Sequence, residues 1–413
     1  MNPIRVTVHR STQEIGGNCV EIASGDARII LDVGRPLDAA RDATDLLAPT
    51  LDLAAPCHGI LLSHAHQDHY GLLGEIPADW PVYCGEATAK LMRLTSGMFG
   101  KELDRDFRPC TSGRAFSIGP FTVTPYLTDH SAFDAYMLLV DAAGRRILYS
   151  GDFRAHGRKG ALVSRFLEAP PGDIDLLVME GTNLGSDKPW MSEADLEEDF
   201  VGVFQKTPGR VFVAWSAQNI DRTVTLYRAC LKAGRTLVVD LYTAEVMELL
   251  AGHGKLPRPG WRNLKVVVTR AFSRLYRMKG RTDFVDRMAH HGIAARRLAE
   301  TPYAWVVMAR KSLLRDYETV GVIPGPQDAW SWSMWRGYLA DGDGANVKAW
   351  FDAGGTPARH IHTGGHAAPD DLRAFARAVN AKAMAPIHGS AWDKPHDGFP
   401  AITRLRDGQA LFL

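Results

Sequence analysis

The 413-residue chain lacks an excess of charge of either sign: 48 Lys and Arg stand against 47 Asp and Glu, for a net charge of +1. Nothing in that balance marks a nucleic-acid binder as a whole, although a local basic groove is still allowed. Cysteine is scarce. Cys19, Cys57, Cys84, Cys110 and Cys230 are odd in number, scattered and without CxxC spacing. They read as reduced, mostly buried thiols of a cytoplasmic protein. Long apolar runs are missing too. The start, Met1 to Val6, has no signal-peptide core, and no window reaches a membrane-spanning length, so no membrane partner is expected. There is no internal repeat and no low-complexity segment. What remains is an ordinary soluble composition, 46% apolar and 23% charged, in a chain long enough for two domains.

Histidine is where the chain is unusual. His64, His66, Asp68 and His69 fall within six residues, directly after the apolar run Gly59-Ile60-Leu61-Leu62, which reads as a buried strand. Alternate residues at a strand end point the same way, so His64 and His66 can reach one metal ion together. Asp68 and His69, a turn further on, can reach a second. Imidazole and carboxylate suit zinc or manganese better than calcium or magnesium, which prefer oxygen shells.

This H-x-H-x-D-H pattern after a strand resembles the metallo-β-lactamase superfamily. The resemblance implies an α/β fold, a four-layer αββα sandwich with a two-metal site along one edge. It also gives roles to residues that composition and spacing alone leave open. Arg28 to Gly34 reads as a strand ending in Asp-x-Gly, and Asp32 takes the place of the family's structural aspartate behind the metal loop. His130, in Asp129-His130-Ser131 after the strand-like run from Phe121, stands where the family supplies the third histidine of the first metal. Asp152, at the end of the strand from Arg146, matches the bridging carboxylate.

Further motifs narrow the resemblance to the β-CASP nuclease branch, which includes ribonuclease J and the pre-mRNA cleavage endonuclease. Glu180, in Met179-Glu180-Gly181-Thr182-Asn183, matches the first branch motif, an acidic residue after a strand. His362-Thr363-Gly364-Gly365-His366-Ala367 resembles the family segment His-x-Ser-Gly-His-Ala. His366 takes the second branch motif and His362 the upstream phosphate contact. Gly364 stands where ribonuclease J carries serine, so one phosphate-contacting hydroxyl is missing unless Thr363 replaces it. Pro386-Ile387-His388-Gly389 resembles the third motif, with His388 on the second metal.

Between these lies a stretch of alternating strands and helices that implies a parallel-sheet unit. The resemblance makes it the α/β β-CASP insert, and the expected division is 1–190, 191–334 and 335–413. Tyr303 to Arg310 reads as the last strand of the insert. Trp330 to Leu339, rich in aromatics, reads first as packing at a domain junction and second as a base-stacking surface. Lys255 to Arg287 holds ten Lys or Arg against Asp283 and Asp286, which suits either a phosphate-lined groove or a solvated face.

The implied enzyme is a metallo-hydrolase. Two divalent ions, zinc first and manganese second, are held by His64, His66 and His130 and by Asp68, His69 and His388, with Asp152 between them. They activate a hydroxide that attacks a phosphodiester. Asp68, His366 and Glu180 carry the catalytic roles, with His366 stabilising charge or protonating the leaving oxygen. RNA-acting branch members carry histidine in the third motif and Artemis-like DNA nucleases an apolar residue, so His388 favours single-stranded RNA as partner. The alternatives are a DNA nuclease of the same branch and a small-ester or lactone hydrolase on the bare fold. The 25 residues after His388 are too few for the C-terminal domain with which ribonuclease J usually continues, so its dimer mode is not carried over.

Overall fold

Successive residues of several strands are buried on opposite faces. Leu138 and Val140 belong to one apolar cluster and Met137 and Leu139 to another. Ile147 and Tyr149 part from Leu148 in the same way, as do Leu176 and Val178 from Leu177 and Met179. Such strands read as near-continuous apolar runs because both faces of the sheet are covered. The computed structural model describes residues 3–40, 42–340, 342–394 and 396–413. In it the chain forms two units, Met1–Pro189 with Gly365–Leu413, and Trp190–Gly364.

The first unit holds two sheets. One contains β1 (Ile4–Arg10), β2 (Cys19–Ser24), β3 (Ala27–Leu31), β4 (Gly59–Leu61), β5 (Val82–Gly85) and β6 (Phe107–Cys110), with β20 (Ala410–Phe412) outside β1. The other contains β7 (Phe116–Ile118), β8 (Phe121–Thr128), β9 (Ala135–Ala142), β10 (Arg145–Tyr149) and β11 (Leu176–Met179), with β19 (Ala383–Pro386) outside β11. Val6, Val20, Ile29 and Leu61 from the first sheet meet Val123, Leu138, Ile147 and Val178 from the second in one buried core. The helices Gly160–Glu168 and Pro369–Val379 cover the second sheet's other face through Val163, Leu372 and Phe375. Helix Glu86–Phe99 lies against β5 and β6. The result is an αββα sandwich.

The second unit is a seven-stranded, wholly parallel sheet. Its strands are β12 (Val211–Ala214), β13 (Thr236–Val239), β14 (Leu264–Val267), β15 (Gly292–Ile293), β16 (Trp305–Met308), β17 (Ala329–Trp332) and β18 (Ala358–Arg359), in the order β15-β14-β13-β16-β12-β17-β18. Three sequence expectations are corrected here. The run Tyr303 to Arg310 supplies β16 but not the last strand, because β17 and β18 follow it. The aromatic segment supplies β17, with Trp330 and Trp332 at 3% and 5% exposure and the intervening Ser331 fully buried. Trp330 stacks on Phe351 at 4.6 Å. For the same reason the chain returns to the first unit at Gly365, not Trp335: β18 still pairs with β17.

A buried arginine ties this unit together. Arg222 donates to Glu193 Oε1 at 3.0 Å and to the carbonyls of Ser333 at 3.0 Å and Thr363 at 3.3 Å. Arg222→Ala leaves the Glu193 carboxylate buried and uncompensated, so stability should fall by about 3–5 kcal/mol. A denaturant titration following this unit's tryptophans measures the loss. Among the described residues, no helix is long and apolar enough to cross a membrane.

Candidate metal centre

Six strands of the first unit end at one edge. Asp32 follows β3, the Ser63 to His69 loop follows β4, His130 follows β8, Asp152 follows β10, Glu180 follows β11 and His388 follows β19. Close backbone approach makes this possible. A Cβ on Gly34 would lie 1.7 Å from the Asp68 carbonyl oxygen, and one on Gly181 would lie 2.3 Å from the Trp392 ring. Asp32 and His388 hold left-handed backbone, with φ of 59° and 48°. Non-glycine residues rarely adopt it, and they persist there when the surroundings over-determine them. At His388 the backbone N–H donates to the Ser11 carbonyl at 2.7 Å.

The first cluster is three imidazoles. His66 Nδ1 lies 3.1 Å from His64 Nε2 and 3.2 Å from His130 Nε2. Nitrogens bound at about 2.0–2.1 Å in a tetrahedral shell lie about 3.3 Å apart, so the spacing fits one ion. Burial depresses the His64 and His130 pKa values well below the usual histidine range, and lowers that of His66 to about 4. All three are therefore neutral near pH 7, the form that binds metal. The outer nitrogens are held, His64 Nδ1 by Ser63 Oγ at 3.0 Å and His130 Nδ1 by the Gly365 carbonyl.

The second cluster joins Asp68, His69, Asp152 and His388. His69 Nε2 lies 2.9 Å from Asp152 Oδ2, and both His69 Nε2 and His388 Nε2 lie 3.8 Å from Asp68 Oδ2. Asp152 Oδ2 is also 3.9 Å from His64 Nε2, so this carboxylate stands between the clusters. Burial works against the His69 imidazolium, but Asp152, Asp32 and Asp68 raise its pKa well above the usual range. Burial likewise works against the Asp152 carboxylate, and His388, His69 and His366 hold its pKa well below the usual range. Asp152 Oδ1 and His388 Nε2 are buried without a hydrogen-bond partner. Buried polar atoms left so are costly, and a cation between them removes the cost. The donor set and these two atoms make the clusters compatible with divalent metal.

Beside them, Glu180 is fully buried and accepts from the backbone N–H groups of Phe153 at 3.3 Å and Thr182 at 3.2 Å. His366 Nδ1 lies 3.2 Å from Glu180 Oε2, 3.0 Å from Thr182 Oγ1 and 3.6 Å from Asp152 Oδ2. Burial opposes its protonation, but Glu180, Asp152 and Asp68 lift its pKa to about 9. Asn183 Nδ2 donates to the carbonyls of His366 and Ala367, both at 3.1 Å, and fixes the segment from behind.

The structure thus brings together His64, His66, Asp68, His69, His130, Asp152, Glu180, His366 and His388, with Asp32 at 2.7 Å from His69 Nδ1. His362, Thr363 and Gly364 belong to the second unit, where burial and Arg222 lower the His362 pKa to about 3. Sequence reasoning gave no role to Ser63, Asn18, Tyr149 or Asn183. Ser63 N and Oγ donate to the two Asp32 oxygens at 2.7 and 2.8 Å, and Tyr149 donates to Asp32 Oδ2 at 2.6 Å. Serine, asparagine and tyrosine next to a motif carry no periodic signal, so only adjacency could have singled them out.

The sandwich and its histidine-rich edge resemble the beta-lactamase superfamily: residues 28–215, a little under half of the chain, match the family model for the beta-lactamase superfamily domain. The chain is also similar to ribonuclease J of several organisms. It is 23% identical to ribonuclease J of Helicobacter pylori over 94% of this chain and 56% of that one. It is 24% identical to ribonuclease J of Sinorhizobium meliloti and of Thermus thermophilus, over 89% and 91% of this chain and 66% of each relative. The chain therefore spans between half and two thirds of the length of these relatives. A crystal structure of a protein of unknown function from Enterococcus faecalis V583 superposes over the whole of both chains, with a TM-score of 0.81 at 20% identity, and shares the fold.

Proposed function

We propose that the chain is a metal-dependent nuclease that hydrolyses phosphodiester bonds, with single-stranded RNA as its substrate. The observation that carries this reading is His366, held by Glu180 and Thr182 beside Asp152. A simple ester hydrolase has no need of a separate proton donor there. Two divalent ions, with zinc fitting the histidine-rich donors best, would supply a polarised phosphoryl oxygen and an ionised water near neutral pH. His64, His66 and His130 hold one position, and Asp68, His69 and His388 the other, with Asp152 spanning them. His366 keeps Nδ1 on Glu180, and its side chain remains 21% exposed, so Nε2 is the nitrogen offered to the leaving oxygen. Histidine at position 388 supports RNA over DNA, as does the name of the relatives. Five unpaired cysteines fit a cytoplasmic setting.

Incubating the protein with 5′- and 3′-labelled single-stranded RNA and DNA, with zinc or manganese, tests the reading. RNA ladders that vanish with chelator are expected. Cleavage of DNA alone moves the substrate to DNA, and no cleavage of either overturns the proposal.

The basic stretch gives a second test. Helix Arg270–Met278 exposes Arg270 and Arg274, whereas Arg277 pairs with Asp286 at 2.9 Å. Reversing Arg270 and Arg274 to glutamate should weaken RNA binding and lower its log–log salt slope by about 0.7 per lost contact. Reversing Arg277 should change the slope less. Equal slopes in all variants would leave this helix merely solvated.

A further inference from the structure

A hydrogen-bond chain runs behind the second metal cluster, and its direction is fixed at one end. Asp32 follows β3 and is fully buried. As a carboxylate it can only accept. The Tyr149 hydroxyl lies 2.6 Å from Asp32 Oδ2 and gives its proton there. The tyrosine oxygen is then an acceptor for Asn18 Nδ2, at 3.1 Å. That turns the Asn18 amide so that Oδ1 faces His388 Nδ1, at 2.7 Å. An amide oxygen can only accept, so His388 carries its proton on Nδ1. Its Nε2 is left with a free lone pair, and Nε2 is the atom that stands buried without a partner.

The same carboxylate oxygen lies 2.7 Å from His69 Nδ1, and the ring's Nε2 is the nitrogen turned toward Asp152. One buried carboxylate thus orients two histidine rings, His69 directly and His388 through two relays. Asn18 contributes twice, since its backbone N–H also donates to the Asp68 carbonyl at 3.0 Å.

We infer that Asn18 and Tyr149 are positioning residues that lock His388 in its metal-binding tautomer and couple it to His69 through Asp32. The inference rests on the metal-dependent reading above. Groups that hydrogen-bond the far nitrogen of a ligating histidine typically control about 10–100-fold in metal affinity. Asn18→Ala and Tyr149→Phe should each weaken the second zinc by a factor in that range and leave the three-histidine site unaltered. Because both act through one relay, the double variant should lose no more than Asn18→Ala alone. Competition titrations of zinc against a chromophoric chelator resolve the two affinities. A loss shared equally by both zinc ions, additive losses, or no loss would overturn the inference.

The wild-type protein offers a reading that does not depend on the variants folding. ¹⁵N chemical shifts of the His388 ring, with and without zinc, report which nitrogen carries the proton. Protonated Nδ1 in both states is expected, and protonated Nε2 without zinc would overturn the inference. Absence of zinc binding in the wild type, with His388 still protonated on Nδ1, would sink the metallonuclease reading and leave the tautomer lock standing.

Discussion

Replacing His366 by alanine should cut the rate of RNA cleavage by roughly 10²–10⁴-fold, the loss expected for a missing acid or charge stabiliser. Metal should stay bound, because His366 belongs to neither of the clusters assigned to the two ions; its own grouping is with Asp152 and Glu180. The fall should appear in kcat more than in KM, since the proton or charge is needed only as the leaving oxygen departs. A small ester with a good leaving group needs less help and should suffer less. Elemental analysis, RNA kinetics and ester kinetics on the same variant separate the cases. Loss of metal would make His366 a ligand. Unchanged RNA cleavage with collapsed ester hydrolysis would return the small-ester hydrolase as the better reading.

Asp152→Ala should have the other large effect, and a different one. Asp152 Oδ2 lies 2.9 Å from His69 Nε2 and 3.9 Å from His64 Nε2, and Oδ1 is buried without a hydrogen-bond partner. Asp152 therefore stands between the two clusters. Removing it should lower the occupancy of both metal positions and with it abolish measurable RNA cleavage. Metal-to-protein ratios after exhaustive dialysis measure this directly. Full occupancy at both positions would end the bridging role. One position emptied and the other full would make Asp152 a ligand of a single ion.

Much of the centre was legible because its ligands are chemically loud. His64, His66, Asp68 and His69 crowd six positions after a buried strand, and no core or loop requirement explains that density. Glu180, His366 and His388 became visible only through a family pattern, since each is a single polar residue after a strand. Ser63, Asn18 and Tyr149 stayed silent for a physical reason. Their partners lie across the fold, Asn18 meeting Tyr149 and His388 at separations of 131 and 370 residues, and no local periodicity encodes such a meeting. The second unit shows the opposite failure. Trp330-Ser331-Trp332 alternates like a strand, but its large aromatics suggested a junction. In a parallel sheet covered on both faces they are simply core, and the extra strands move the return of the chain to Gly365.

The three histidines of the first cluster are all present by His130, but the Gly365 carbonyl that holds His130 Nδ1, and His366 and His388, arrive only after the whole of Trp190–Gly364. The final strand, β20, then pairs with β1, the first. On the ribosome, where units fold in the order they emerge, the growing chain passes through a long interval in which the first unit still lacks β19, β20, His366 and His388. The second cluster and the His366 group are thus completed only after the second unit has been made.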